Sequence, residues 1–338
     1  MAHVRITEIK DNGIMYFEIS DPYFEVTVSN FGCRVLSIYT IDKDRHMEDV
    51  LLGNENPEGA SDGRYMGAVC GRVCNRIEKG QFLLNDKEYH LAVNNGPNHL
   101  HGGLEGFDRK VFHWEVIKDG VTFSYMSPNG EEGYPGNLLL NVTYTVKDNT
   151  LCAHYRAVAD EDTLVNITNH MYFNLSGGAR PASEHILEVD ADTYMPVDEN
   201  GLTLGEEADV TGTPFDFRSA HMISQSIGAD NEQLRNAHGY DHAYLLNGQD
   251  AQVVLTDPIS HRRLTVTTTL PAVHVYTGNY LESDVPGKNG TMYKNYDGIA
   301  LETEYVPNSI NTERADDVIL RQGEVYETET LYKFEAVR

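Results

Sequence analysis

The chain has 338 residues, of which 26 are Lys or Arg and 52 are Asp or Glu, so its formal net charge is −26. A surface this acidic repels nucleic acids and anionic membranes on average, which excludes both as expected partners and disfavours phosphorylated substrates. A chain of this length can bury one large hydrophobic core or two ordinary ones.

The sequence has no apolar run of ~18 residues that would span a membrane, and no signal-peptide stretch is found in its first residues, MAHVRITEIKDNG. We therefore expect a cytoplasmic protein. The four cysteines, Cys33, Cys70, Cys74 and Cys152, are too few and too scattered for a disulfide framework. Cys70 and Cys74 have a weak metal-ligand spacing without a second matching pair, so we interpret them as buried thiols.

Alternation of apolar and polar residues, the pattern of half-buried strands, dominates the chain. It appears at residues 24–28, and again at 142–146, where it leads into the turn KDNT and resumes at 151–155. This second pattern predicts a hairpin. Residues 253–255 and 264–266 flank the loop DPISHRR and predict another pair of strands.

Helical periodicity is rare, and its best example, about residues 222–237, is short and polar. Glycines and prolines are spread evenly, and we find no linker, low-complexity tract or fixed-period repeat. All-β architectures of about 200 residues or more commonly form one domain. We therefore predict an all-β fold, a large antiparallel β-sandwich, with residues 1–338 in a single domain and the function on edge strands and loops.

Two histidines in the segment NNGPNHLHGG, residues 94–103, form a first candidate site. If the segment is extended, His99 and His101 share a face, and the glycine pair that follows lets the backbone approach a ligand. Catalysis, metal binding and a solvated strand end all fit this segment alone.

The metal alternative rests on His99-x-His101 followed by Glu105, which is similar to the first metal motif of cupins. That motif also needs a glycine seven residues after the glutamate, where this chain has Phe112. We therefore predict no metal.

The segment TNHMYFNL, residues 168–175, puts His170 and Tyr172 on one face if it is a strand. A lone strand histidine is usually a hydrogen-bonded core or surface residue. Here Asn174 and the glycine pair at 177–178 supply amide donors and an open backbone, which favours a pocket.

The segment ALETEY, residues 300–305, carries two carboxylates, Glu302 and Glu304, on one face. Carboxylates this close raise each other's proton affinity, which suits a base that operates near neutral pH.

Several segments, in order, resemble the successive motifs of the aldose 1-epimerase (galactose mutarotase) family. They are GRVCNRI at 71–77, NNGPNHLHGG with GFD at 106–108, TNHMYFNL, GYDHAY at 239–244, YTGNYL at 276–281 and ALETEY. The closing LRQGEVYETETLYKF is also similar, so the resemblance covers most of the chain. It implies a large β-sandwich of the galactose-mutarotase type, in agreement with the strand pattern.

The resemblance also implies residue roles. The general acid falls on His170 and the general base on Glu302. The residues implied or expected to bind the sugar are Asn75, Arg76, His101, Asp241, His274, Tyr172 and Tyr276.

The implied reaction interconverts the α and β anomers of a free monosaccharide. A base removes the C1 hydroxyl proton while an acid protonates the ring oxygen, and the two exchange roles as the ring closes. The expected starting state has Glu302 ionised and His170 protonated. The reaction requires no covalent intermediate, metal or redox cofactor, and the oligomeric state, monomer or homodimer, stays open.

Three residues depart from the family pattern. Glu304 and His274 stand where Gln is common, and Asn308 stands where Asp is frequent. These positions should border the sugar, so the choice among galactose, glucose and other aldoses stays open, and Glu304 could share the role of base.

Two alternative functions use the same fold. A glycoside hydrolase or lyase needs an acid and a base or nucleophile that flank a glycosidic bond, which Glu302 and Asp241 could supply. A non-catalytic sugar-binding protein could dispense with the pair of His170 and Glu302. The presence of that pair, and the histidine-rich side of the expected pocket, favour ring opening.

Overall fold

The alternating pattern of the sequence forms short β-strands through most of the computed structural model, which describes residues 2–58, 63–248 and 252–337. The first strands in chain order are β1 (His3–Ile9), β2 (Met15–Asp21), β3 (Phe24–Ser29), β4 (Val35–Ile41), β5 (Met47–Asp49), β6 (Val69–Cys70), β7 (Arg76–Ile77), β8 (Gln81–Leu84), β9 (Lys87–His90), β10 (His99–Leu100), β11 (His113–Ile117), β12 (Gly120–Ser127), β13 (Leu138–Lys147) and β14 (Thr150–Ala159). They are followed by β15 (Thr163–Leu164), β16 (Thr168–Asn169), β17 (Tyr172–Phe173), β18 (Ile186–Val189), β19 (Ala191–Tyr194), β20 (Ala208–Asp209), β21 (His221–Met222), β22 (Asp241–Leu246), β23 (Gln252–Thr256), β24 (Arg262–Thr268), β25 (Ala272–Tyr276), β26 (Ile299–Glu304), β27 (Ile319–Leu320) and β28 (Val325–Ala336).

Helical structure is sparse. The described residues form the α-helix α1 (Glu232–Ala237) and 3₁₀ turns at Glu78–Gly80, Phe107–Arg109, Glu131–Gly133, Ala182–Glu184, Ile223–Gln225, Lys288–Gly290, Ser309–Asn311 and Ala315–Asp317. Within the three described ranges, no helix has the length and apolar character needed to cross a membrane.

Three antiparallel sheets organise the molecule. One has five strands in the order β1-β2-β3-β4-β5. A second has nine strands in the order β11-β12-β13-β14-β28-β24-β23-β18-β21. The third has six strands in the order β17-β26-β25-β22-β19-β20.

The nine-stranded sheet packs face to face against the other two sheets. Phe17 of the five-stranded sheet lies 5.7 Å, between ring centroids, from Phe123 of the nine-stranded sheet. Phe173 of the six-stranded sheet lies 5.8 Å from Tyr332 and 6.3 Å from Phe334, both in β28. Because one cluster of buried apolar side chains joins all three sheets, the prediction of a large antiparallel β-sandwich is confirmed.

Both predicted strand pairs are present. Val142 faces Tyr155 in the hairpin of β13 and β14, and Leu255 faces Leu264 in the pair β23 and β24. The helical pattern at 222–237 is an α-helix only in its last part. Asn231 caps α1 by accepting a hydrogen bond from the backbone N–H of Gln233, so the helix begins there rather than at 222.

The six-stranded sheet has two chemically different faces. Successive residues of a strand point to opposite faces, so Val273 and Val275 of β25 join the apolar cluster while His274 and Tyr276 point away from it. In β26, Leu301 faces the cluster and Glu302 faces outward. This outer face carries the candidate site.

Candidate active site

A cavity of about 440 Å³ lies over the outer face of the six-stranded sheet. Strand pairing places His274 opposite Glu302 and Asp241 opposite Tyr276 on its floor. The nine residues expected to catalyse the reaction or bind the sugar all line the cavity: Asn75, Arg76, His101, His170, Tyr172, Asp241, His274, Tyr276 and Glu302. The structure therefore brings together segments that are more than two hundred residues apart in the chain.

His170 and Glu302 face each other directly. His170 Nε2 lies 3.5 Å from Glu302 Oε1, and both side chains are almost fully buried. The backbone of His170 is held by hydrogen bonds to Ala68 and Gly67 on either side of the residue. His170 Nδ1 and Glu302 Oε2 have no hydrogen-bond partner within the described part of the chain, so both are free to engage a bound molecule.

Burial drives this pair toward its neutral forms. It lowers the pKa of His170 to about 3 and raises the pKa of Glu302 well above its ordinary value, with repulsion from Glu304 adding to the second shift. The expected starting state, with Glu302 ionised and His170 protonated, is therefore not the favoured state of the free cavity. Both shifts favour a single proton on Glu302, whose Oε1 lies 3.5 Å from His170 Nε2.

His101 enters the cavity because its backbone is left-handed, with φ of 50°. Its Nδ1 accepts a hydrogen bond of 3.1 Å from the backbone N–H of Asn75, so the neutral ring carries its proton on Nε2. Burial lowers the pKa of His101 well below its ordinary value, which keeps the ring neutral. At Gly102 a Cβ would lie 1.8 Å from the carbonyl oxygen of Gly71, and only glycine fits there.

His99 does not belong to the cavity. The segment is not extended through His101, so the two histidines do not share a face, and His99 instead contacts the carbonyl oxygen of Ala92 and the hydroxyl of Tyr134 at 2.8 and 2.7 Å. Burial lowers its pKa to about 4. Both ring nitrogens are occupied by these protein contacts, so the cupin-like arrangement of His99 and His101 is contradicted.

A different trio could be considered for a metal, because His101, His170 and Glu302 each offer an atom within 4.8 Å of the others. A histidine that binds a metal presents an unprotonated nitrogen and donates from its other N–H. His101 has the opposite arrangement, since the Asn75 N–H occupies Nδ1 and leaves the proton on Nε2. The donor set therefore does not fit a metal ion.

An ionic chain lies under one side of the cavity. His274 Nε2 lies 2.6 Å from Asp241 Oδ1, and His274 Nδ1 lies 3.4 Å from Glu304 Oε1. Burial alone would lower the pKa of His274, but the two carboxylates outweigh it and raise that pKa to about 10. Burial would likewise raise the pKa of Asp241, but His274 holds it well below its ordinary value. The cavity floor thus contains a stable ion pair.

Arg76 supplies a second cation at the cavity wall. Its Nε donates to Asn95 Oδ1 at 3.0 Å, and its Nη1 donates to the carbonyl oxygen of Gly201 at 3.3 Å. The same Nη1 lies 3.9 Å from Asp241 Oδ2. Because neutral partners fix the guanidinium, its charge stays directed at the cavity.

Aromatic rings form the remaining wall. Tyr172 lies 4.8 Å from the His170 ring and 5.9 Å from Tyr276, between centroids. Tyr65, which the sequence analysis missed, lies 4.6 Å from the His101 ring. Other lining residues that it missed are Arg64, Asn95, Glu199, Asn200, Asn236 and Tyr280. Of these, Asn95 could have been found, because it lies inside the NNGPNHLHGG motif.

The cysteines agree with the interpretation as thiols. Cys33, Cys70 and Cys74 are free and buried, and Cys152 is free and partly exposed. Cys74 donates from its Sγ to Glu304 Oε2 at 3.0 Å, which places this thiol behind the ionic chain rather than in the cavity.

This chain is similar to known proteins over most of its length. The family model for aldose 1-epimerase matches residues 15–333. Human galactose mutarotase is 42% identical over 323 residues, covering 94% of this chain and 93% of the relative, and the aldose 1-epimerase of Escherichia coli K12 is 37% identical over 320 residues, covering 91% of each. The solved structure of an aldose epimerase homologue from C. elegans has a TM-score of 0.87 at 29% identity, with full coverage of both chains. That of galactose 1-epimerase from Lactobacillus acidophilus has a TM-score of 0.86 at 30% identity, covering 100% of this chain and 99% of the other.

Proposed function

Because the chain belongs to the aldose 1-epimerase family, whose members are isomerases, we propose that it interconverts the α and β anomers of free aldoses, with galactose and glucose as the first candidates. The observation that carries this proposal is the buried pair of His170 and Glu302, 3.5 Å apart in a cavity of about 440 Å³. Ring opening of a hemiacetal needs one group that takes a proton and one that gives a proton.

Glu302 is the base in this proposal and His170 the acid. Glu302 removes the C1 hydroxyl proton while His170 protonates the ring oxygen, and after rotation about the C1–C2 bond the two exchange roles. The charged forms arise when the sugar binds, because a C1 hydroxyl that donates to Glu302 and a ring oxygen that accepts from His170 stabilise them. The 3.5 Å contact gives the proton a path from Glu302 to His170.

The other cavity residues stabilise and orient the sugar. The proton on His101 Nε2 and the guanidinium of Arg76 are placed to limit negative charge on the ring oxygen. Asn75 and Asp241 offer polar groups for hydroxyls, and His274, whose ring nitrogens both face carboxylates, orients Asp241. Tyr172 and Tyr276 offer apolar ring faces for C–H groups.

The local charges favour a neutral ligand. The cations Arg76 and His274 are matched by the carboxylates of Asp241 and Glu304, and Glu302 holds a proton in the free cavity. A phosphorylated sugar would bring extra negative charge to a protein whose net charge is already −26, so the proposed substrate is an unmodified monosaccharide.

We also propose a single-domain, cytoplasmic protein that binds neither nucleic acid nor membranes. One apolar cluster runs from Met15 to Phe334 and joins the three sheets, which supports one domain. Free cysteines fit a reducing compartment, and the net charge of −26 disfavours both kinds of anionic partner.

Glycoside hydrolysis is less well supported. The second carboxylate would have to be Asp241, which His274 holds in an ion pair at 2.6 Å, with a pKa well below the ordinary value. A raised pKa on Glu302 and an ionised Asp241 would suit an acid and a nucleophile. However, His274 engages Asp241 Oδ1, and the matching family and relatives are aldose 1-epimerases and galactose mutarotases rather than hydrolases.

Polarimetry separates the candidate functions. Fresh solutions of α-galactose and α-glucose should approach the equilibrium rotation faster with the protein than without it, while a disaccharide should release no new reducing ends. Uncatalysed rates for a panel of free aldoses would overturn the proposal, and binding without rate enhancement would point to a sugar-binding protein.

A further inference from the structure

Glu304 is a carboxylate on the same face of β26 as Glu302, beside the cavity floor. It is fully buried and does not line the cavity. Its Oε1 accepts from Asn75 Nδ2 at 3.3 Å and lies 3.4 Å from His274 Nδ1, and its Oε2 accepts from Cys74 at 3.0 Å. Two of these three neighbours, Asn75 and His274, do line the cavity.

His274 extends this arrangement to a third cavity residue. With a carboxylate near each ring nitrogen, the imidazolium contacts Asp241 Oδ1 through Nε2 at hydrogen-bond distance, and its Nδ1 makes an ionic contact of 3.4 Å with Glu304 Oε1. Asp241 Oδ2 lies 3.9 Å from Arg76 Nη1, too far for a hydrogen bond. That oxygen is therefore available to a sugar hydroxyl, in an orientation set by His274.

We propose that Glu304 is a positioning residue of the sugar site, which fixes Asn75 directly and Asp241 through His274 without contacting the sugar. Groups that lock the orientation of a binding side chain from behind reduce the cost of ordering it when the ligand arrives. The proposal rests on the proposed aldose 1-epimerase function. It assigns Glu304 no proton transfer, because both of its oxygens accept from protein donors and Glu304 itself does not line the cavity.

Two substitutions test whether the acceptor at position 304 is what matters. Glu304→Leu removes the acceptor, and we expect KM for the best aldose to rise about tenfold while kcat changes by less than about threefold, as for neighbours coupled through a shared partner. Glu304→Gln keeps a carbonyl oxygen that can accept from Asn75 and His274, so it should recover most of the lost affinity. An unchanged KM in Glu304→Leu would overturn the proposal, as would a loss in Glu304→Gln equal to that in Glu304→Leu, or a loss of kcat with KM unchanged.

A measurement on the unaltered protein keeps the proposal testable if Glu304→Leu does not fold. Nitrogen-15 NMR at about pH 8, well above the ordinary histidine pKa, should show both ring nitrogens of His274 protonated, with His274→Gln identifying the signals. A neutral His274 would overturn the proposal. This measurement does not depend on turnover, so absence of catalysis with a doubly protonated His274 would count against the proposed function and not against the ionic chain.

Discussion

The two faces of β25 and β26 are equally buried but chemically opposite. Leu301 is 1% exposed in the apolar cluster, and its neighbour Glu302 is 2% exposed on the cavity floor. Burial stabilises the first side chain and penalises the charge of the second. On the outer face, only groups with a partner of opposite charge, such as His274, remain ionised. The alternating pattern of these strands thus places apolar side chains in the core and ionisable side chains with shifted pKa values in the cavity.

The largest loss of activity should follow substitution of the proposed acid and base, which lie on the cavity side of the sheet. We expect Glu302→Gln and His170→Asn each to reduce kcat by about 10² or more, because each removes one proton carrier with little change in volume. Thermal unfolding should remain close to that of the unaltered protein.

Glu304→Gln is the matched control for Glu302→Gln, since it makes the same change two residues along the same face of β26. Its loss in kcat should stay well below about 10², the lower end of the range for a proton-transferring group. If Glu304→Gln is inactive and Glu302→Gln is nearly fully active, the base has been assigned to the wrong glutamate.

The inner face should respond in stability rather than in chemistry. Leu301→Ala should lower the free energy of unfolding by about 2–5 kcal/mol, through lost burial and the cavity left behind. Denaturant titration measures the loss, and kcat measured well below the unfolding temperature should change far less than in Glu302→Gln. A loss of kcat as large as that of Glu302→Gln in folded Leu301→Ala would remove the distinction between the two faces.

The smallest expected effect is that of chelation. Exhaustive treatment with a metal chelator should leave the mutarotation rate unchanged, because the proton on His101 Nε2 and the occupied nitrogens of His99 do not suit a metal ion. Loss of activity that a divalent metal restores would contradict this account of the cavity.

The sequence was sufficient for those features that depend on local pattern. The two-residue period identified the strands at 142–146 and 264–266, and it placed Glu302 and Glu304 on one face of their strand. The roles proposed for residues in separate segments came from the resemblance to a family, because the alternating pattern alone does not assign roles to residues.

Features that depend on tertiary contacts were not predictable in this way. The left-handed backbone of His101 separates it from His99, and Tyr65 reaches the cavity from a segment without a strand pattern. The protonation states also differ from the expectation. An unperturbed histidine, with a pKa of about 6.5, gains and loses its proton near neutrality, but burial lowers the pKa of His170 to about 3.

The central claim is that one proton shared by Glu302 and His170 drives the reaction, and the pH dependence of kcat/KM tests it most directly. The active form of the pair holds one proton. In acid, activity should fall toward the lowered pKa of His170, about 3, because the pair gains a second proton. In alkali, activity should fall above the raised pKa of Glu302, because the pair loses its only proton. In His170→Asn the residual activity needs only an ionised Glu302. That activity should therefore increase as the pH rises through the raised pKa of Glu302, with no decrease in alkali. The control variant His99→Asn should keep both the acid and the alkaline decrease. An alkaline limb that persists in His170→Asn would contradict the account and make His101 the next candidate for the acid.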